Sequence, residues 1–433
     1  MIRAIATAIA LTLLAAIPAR AVDIQQVTSP GGIKAWLVQD DTLPFTALTL
    51  MFRGGASMDA PGKRGEVTLM TGLLEEGAGD RDATAFAQAA EELGARLGFN
   101  SDDDTVTVTM QALTENRAAS ADLLRDALTA PRFDADAVER VRGQVQALIR
   151  AEATDPNAIA QKALAKAIWG DHPYGSSTNG TAESVATLTR DDLLDAASRT
   201  LARDRVVIGA AGDISADDLG AMLDHILGGL PETGSAPLPT PATWQSQGGT
   251  EVIGWDSPQT VVAFAQPGLA MDDPDFFPAF VANFILGGGG FSSRLMDEIR
   301  DKRGLTYGIG TSLVTQSYGD SWSGGMASAN DKVAEGVSLI RQVWGSLAEG
   351  VSDEELSDAK TYLTGEYALR FNGNNRISGI LAGMQLMGLP VEYINTRNDQ
   401  INAVTAGDVA RVARDYLDPA RLQFVLVGRP EGM

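Results

Sequence analysis

The sequence predicts an α+β protein made of two homologous halves joined by an extended linker. Three observations predict it. First, LTRDDLLDAASRTLARDRVVIGAAG from Leu188 aligns without a gap with VTAGDVARVARDYLDPARLQFVLVG from Val404, an offset of 216 residues. Thr189 matches Thr405, Asp192 matches Asp408, Arg205 matches Arg421 and Gly212 matches Gly428. Each copy reads as a threonine-capped helix followed by an apolar strand. Second, LTLMFRGGASMD from Leu48 pairs with VVAFAQPGLAMD from Val261, with Gly55, Met58 and Asp59 matching Gly268, Met271 and Asp272. Third, Gly228 to Gly249, GGLPETGSAPLPTPATWQSQGG, is rich in proline, glycine and serine and reads as a flexible, extended linker between the halves. Strands mixed with helix pairs in units of about 200 residues argue for α+β domains. Two such domains can face each other and enclose a cavity.

The chain begins MIRAIATAIALTLLAAIPARA. Arg3, the apolar run Ala4 to Ile17, Pro18 and the small-x-small Ala19-Arg20-Ala21 read as a secretory signal peptide cut before Val22. The run is too short for a comfortable membrane span, and no second run of spanning length follows. The expected organisation is a signal peptide at 1–21, a first domain at 22–227, the linker at 228–249 and a second domain at 250–433. Cleavage removes two arginines and no acid, taking the formal charge from −22 to −24. That charge argues against a nucleic-acid partner, which needs a basic face, and reads chiefly as a solubilising surface. There is no cysteine. Disulfides, thiolate zinc sites and a cysteine nucleophile are therefore excluded. A periplasmic location suits these features.

Along the first half, Gly65 to Gly79 reads as one short helix with a glycine stop. Val67, Leu69, Met70, Leu73 and Leu74 give it one apolar face. Gly72 falls inside it, where glycine costs about 1 kcal/mol relative to alanine. SDDDT, Ser101 to Thr105, lacks the rhythm of a calcium loop and reads as a hairpin tip. His172 and His225 are the only histidines and are far apart, so local spacing gives no two-histidine zinc site. His172, beside a proline, reads as fixing a turn.

In the second half, Gly287 to Gly290 precedes a helix. No Gly-Lys-Ser/Thr follows, so a phosphate loop is rejected in favour of a flexible loop joining two helices. Ser292 is the expected N-cap of the second helix, which runs to about Arg303 and stops at Gly304. LTYGIG then reads as a strand with Leu305, Tyr307 and Ile309 on one face. Arg300 and Tyr307, seven residues apart, can reach one point. On composition alone both read as ordinary surface or strand residues.

The two-half architecture, RGGASMDAPGKRG, EELGARLGF, DHPYG and LGGGGFSSRLMDEIRDKRGLTYG together resemble the insulinase or pitrilysin family of metallopeptidases. Mitochondrial processing peptidases and the core proteins of the bc1 complex belong to it too. In active members the helix at Gly65 carries His-x-x-Glu-His, in which two histidines bind zinc and the glutamate activates water. The resemblance puts the histidine positions on Thr68 and Gly72, the glutamate on Thr71 and the third ligand, a glutamate, near Leu148. None of these four can bind zinc, so no metal is expected on this chain. Active members also use an arginine and a tyrosine from the second half to hold the tetrahedral intermediate, and Arg300 and Tyr307 match them. In split relatives one subunit carries zinc and the other keeps this pair, together with a glycine-rich loop linked to substrate handling. Gly287, Gly288, Gly289 and Gly290 lie at that loop. Family substrates add to a sheet edge, here near Leu97, Gly98, Phe99, Asn100 and Ser101. The resemblance implies a catalytically incomplete subunit acting on peptides beside a zinc-bearing homologous partner. The alternative is a non-enzymatic scaffold or peptide-binding protein.

Overall fold

The computed structural model describes residues 23–433. The expected signal peptide and its cleavage site lie outside the described residues.

Thirteen strands are seen: β1 (Gln25–Thr28), β2 (Lys34–Gln39), β3 (Phe45–Arg53), β4 (Gly77–Ala78), β5 (Arg81–Asp82), β6 (Arg96–Ser101), β7 (Thr105–Leu113), β8 (Val206–Gly212), β9 (Gly249–Gly254), β10 (Gln259–Pro267), β11 (Thr306–Val314), β12 (Ser321–Ala329) and β13 (Gln423–Gly428). β4 and β5 form a small ribbon. The others form two sheets, ordered β1-β2-β8-β3-β7-β6 and β11-β12-β10-β13-β9. The halves match strand for strand. β2 runs parallel to β8 as β9 does to β13, and both β3 and β10 pair antiparallel on either side. Within the two sheets, only β1 has no counterpart among the described residues.

The helices that position the site are α1 (Glu66–Gly72), α2 (Ala135–Glu152), α3 (Pro156–Trp169), α4 (Arg190–Thr200), α5 (Phe276–Asn283), α6 (Asp353–Leu369), α7 (Asn374–Leu386) and α8 (Ala406–Tyr416). α4 and α8 are the helices of the repeat, and both start with a full capping box. Thr189 and Asp192 exchange side-chain-to-backbone bonds at 3.3 and 2.8 Å, and Thr405 and Asp408 do so at 3.1 and 2.9 Å. The repeat in sequence is thus a repeat in hydrogen bonding.

Each sheet is covered on both faces. Val262 and Phe264 of β10 point to a core with Trp322, Trp344 and Phe424, whereas Ala263 and Ala265 point the other way. Burial on both faces is why β10 and β13 read as continuous apolar runs. The outer cover comes from the opposite half. α3, from the first half, lays Ala160, Leu164, Ile168 and Trp169 on Ala263, Ala265, Val425 and Val427 of the second sheet. α7, from the second half, lays Ile377 and Leu381 on Ala211 of the first. The approach is close enough that a Cβ on Gly209 would fall 2.0 Å from the Ser378 carbonyl oxygen.

Residues 228–248 carry no helix or strand, but the segment is not free. Trp244 packs edge-on against Trp169 at 5.3 Å. Its neighbours Ala242 and Gln245 donate to the Tyr318 and Ile168 carbonyls at 2.5 and 2.8 Å. Apolar residues in the proline-rich stretch give it something to bury, so it is pinned rather than flexible. Among the described residues, no helix is long and apolar enough to cross a membrane.

Candidate functional site

The helix read from Gly65 to Gly79 is shorter than expected. α1 ends at Gly72, turns follow, and Gly77 begins β4. Gly72 is therefore its last residue, and the cost of an interior glycine is largely avoided. The N-terminus is capped from outside. The Asp59 carboxylate accepts from the Gly65 and Val67 N–H groups at 2.8 and 2.9 Å. Gly65 itself takes φ 98°, with the Asn179 carbonyl 2.6 Å from where a Cβ would stand. Arg64 ties this cap to the rest of the half, pairing with Asp59 (3.2 Å) and Asp103 (2.9 Å) and donating to the Pro173 and Ser176 carbonyls (both 3.1 Å). Burial raises the Asp59 carboxyl to about 6 despite the Arg64 charge. Burial also pushes up Glu66, whose partner is Arg199 of α4.

On α1, the Thr68 hydroxyl is spent on the Thr178 carbonyl at 2.7 Å. Thr71 is buried and its Oγ1 has no hydrogen-bond partner among the described residues. A Cβ on Gly72 would lie 3.2 Å from Cγ1 of Val141 on α2. Leu148, two turns further along α2, is 54% exposed. A zinc ion does not fit this set, which offers two hydroxyls, a hydrogen and an alkyl chain where imidazole or carboxylate is needed. Among the described residues, no group of three or more His, Cys, Asp or Glu side chains could hold a metal ion.

β6, holding Leu97 to Ser101, is the edge strand of the first sheet and lies beside α1. Leu97 and Phe99 are half-buried against Phe86, and Asn100 is exposed. Its outer edge has no partner strand among the described residues. β11 is its counterpart at the edge of the second sheet.

Three expectations for the second half are corrected. Gly287 to Gly290 is not a flexible loop. Phe284–Gly288 forms a π-helical turn that continues α5, and a Cβ on Gly287, Gly288 or Gly289 would meet Thr311 Oγ1, Asn283 Nδ2 or the Phe284 oxygen at 2.5, 2.7 or 2.8 Å. Gly287 allows tight packing against Thr311 of β11, and Gly289 against Phe284 of its own turn, while nothing crowds Gly290. Ser292 is not the helix cap. It ends a 3₁₀ turn, Gly290–Ser292, and its hydroxyl donates to Gly289 O. The following helix closes in a π-helical turn, Met296–Asp301, short of Arg303, and Gly304 turns the chain at φ 62°. Finally, Tyr307 does not share a face with Leu305 and Ile309. Those two are buried, whereas Tyr307 is 91% exposed. The cause is a β-bulge. Thr306 opposes Ser328 and Ile309 opposes Met326, so β11 carries one extra residue there and Tyr307 swings outward. Arg300 is half-exposed, pairs with Asp301 at 2.6 Å and stacks over Phe291 at 4.8 Å.

His172 fixes a turn as expected: its Nδ1 accepts from the Tyr174 N–H at 3.2 Å, and its Nε2 lies 3.1 Å from the Thr240 oxygen of the linker. His225 pairs with Asp122 at 2.6 Å. SDDDT is a hairpin tip, with Asp102 Oδ1 accepting from the Asp104 and Thr105 N–H groups. The sequence reading missed what this tip does. Asp104 accepts from the Tyr174 hydroxyl and from the Ser317 N–H (2.8 Å), joining the two halves. DHPYG and SDDDT were each visible, but nothing local linked them. A cleft of about 800 Å³ opens at this junction, lined by Arg53, Trp169, Trp244, Tyr318 and Asp320; Thr68, Gly72, Arg300 and Tyr307 are not in its wall.

Comparison with known proteins decides the family. The family description "Insulinase (Peptidase family M16)" matches residues 35–182, and "Peptidase M16 inactive domain" matches residues 187–363, together three quarters of the chain. The chain belongs to the insulinase family. It is similar to the "Non-peptidase homolog YmxG" of Helicobacter pylori, 26% identical over 394 residues and 90% of each chain. It is similar also to "Uncharacterized zinc protease Rv2782c" of Mycobacterium tuberculosis, 29% identical over 410 residues and 92% of each chain. Among solved structures it resembles the peptidase M16 inactive domain from Pseudomonas fluorescens, with a TM-score of 0.88, 29% identity, and 94% and 98% of the two chains covered. A chain of Complex III2 from Candida albicans shares the fold, at a TM-score of 0.76 and 17% identity over 95% and 96% of the chains. The second half carries most of the match to the family's inactive domain.

Proposed function

We propose that this insulinase-family chain is the catalytically incomplete subunit of a secreted, periplasmic heteromeric zinc peptidase. A homologous partner supplies zinc and the general base. This chain supplies Arg300, Tyr307 and half of the chamber, with peptide aligned along the free edge of β6. One contrast carries the reading: the zinc-helix positions hold Thr68, Thr71 and Gly72, while Tyr307 is bulged out into solvent and Arg300, seven residues before it, is half-exposed. Fixed donors aimed at a developing oxyanion lower a barrier by several kcal/mol, so such a pair is worth keeping when the metal is gone. The tagged protein isolated from its native periplasm is expected to bring a stoichiometric relative carrying His-x-x-Glu-His. Arg300→Ala should then lower the peptidase activity of the pair by about 100- to 1,000-fold. The purified chain alone should cleave no peptide; chelator-sensitive cleavage by it would sink the proposal.

The name of the Helicobacter relative favours a second reading, a scaffold or peptide-binding protein without enzymatic role. It expects no zinc-bearing partner and no effect of Arg300→Ala.

A further inference from the structure

The structure assigns Phe291 as the positioning residue for Arg300; its catalytic consequence rests on the split-peptidase reading above, its geometry does not. Phe291 sits on the 3₁₀ turn Gly290–Ser292 and is 69% exposed, so burial does not account for a phenyl ring there. Its ring centroid lies 4.8 Å from the Arg300 guanidinium carbon. The turn that carries the ring is braced. Gly287 to Gly289 pack without room for a Cβ, and the Ser292 and Ser293 hydroxyls donate to the Gly289 and Gly290 oxygens at 2.9 and 2.8 Å. Gly287 to Gly289 and the two serine bonds thus brace the turn from which the phenyl ring projects.

Arg300 is held on two sides. The guanidinium carbon lies over the ring, and Nη1 donates to Asp301. Its Nε and Nη2 hydrogens have no acceptor among the described residues. An arginine presents five N–H donors, and a cation–π contact restrains the group without using any of them. The guanidinium, restrained by the ring and by Asp301, therefore keeps donors free for a substrate oxygen. An arginine in water loses rotamer entropy when it is ordered by substrate. The ring meets that cost before binding.

The test uses Phe291→Leu, which keeps bulk but removes the ring face, and Phe291→Trp, which keeps the face. In the free chain, the rate of phenylglyoxal modification at Arg300 is followed by peptide mass spectrometry. Phe291→Leu is expected to raise it about two- to fivefold, as befits loss of an exposed cation–π contact, with Phe291→Trp restoring the native rate and other arginines unchanged. Equal rates at Arg300 in all three proteins overturn the assignment. In the peptidase pair, Phe291→Leu should lower kcat at nearly constant KM, and Phe291→Trp should recover it. If Arg300→Ala inactivates the pair while Phe291→Leu changes nothing, the positioning role falls. If Arg300→Ala changes nothing, the split-peptidase reading falls instead, and the modification rates still decide the geometry. Thermal midpoints of both Phe291 variants should match the native chain, because the ring is exposed.

Discussion

Two carboxylates show how much single side chains decide here, and they titrate in opposite senses. Glu355 takes two bonds from Arg294, at 2.6 and 2.9 Å, and one from the Ser352 N–H at 2.8 Å in a capping box that starts α6. Arg294 holds its carboxyl down at about 2. The folded chain therefore binds that proton less tightly than the unfolded chain. The stabilisation is complete above the ordinary glutamate range and is lost as pH falls towards 2. Glu355→Gln should cost about 2 kcal/mol at pH 7 in a denaturant titration, and the gap to the native chain should close on acidification. Asp59 runs the other way. Burial raises it to about 6, so its contribution is complete below the ordinary aspartate range and declines as pH rises through 6. Asp59→Asn should flatten the slope of stability between pH 4 and 7. The residue type at Arg300 and Tyr307 was legible in the sequence, and so was their spacing. The outward turn of Tyr307 was not, because a bulge is a mismatch between two strands and one strand does not display it.

Elements were legible where their signal is local. Threonine with aspartate three residues on specified the starts of α4 and α8, and both capping boxes formed. The glycine-rich turn was misread because glycine signals both flexibility and close packing, and only Thr311, Asn283 and Phe284 reveal which. The length of α1 was overestimated for a related reason: its apolar pattern continues through Leu73 and Leu74, which are buried in turns rather than helix. α1 also leaves little room for a larger side chain at Gly72. Installing Thr68→His, Thr71→Glu and Gly72→His together should lower stability by about 1–3 kcal/mol, because a side chain at 72 meets Val141. Adding Val141→Ala should recover part of it, read as a shift in thermal midpoint.

For the molecule as a whole, the repeat predicted two halves but not their interlock. The apolar face of α3 says that it is buried, not which sheet it covers; that is a long-range choice. Because α7 covers the first sheet and α3 the second, the halves should not fold apart. Residues 23–227 expressed alone should bind a hydrophobic dye and melt without cooperativity, whereas co-expression with 228–433 should give a complex. Leu381→Ala, in α7, should destabilise the first half by about 2–5 kcal/mol, seen as faster amide exchange in β8 and β3. The same interlock bears on ancestry. A duplicated gene segment ordinarily leaves one copy free to decay. Here decay of either copy strips a wall from its twin, so selection for solubility alone preserves both. Such an arrangement acts as a ratchet: ligands can erode from one helix, position by position, while the two copies stay in one reading frame.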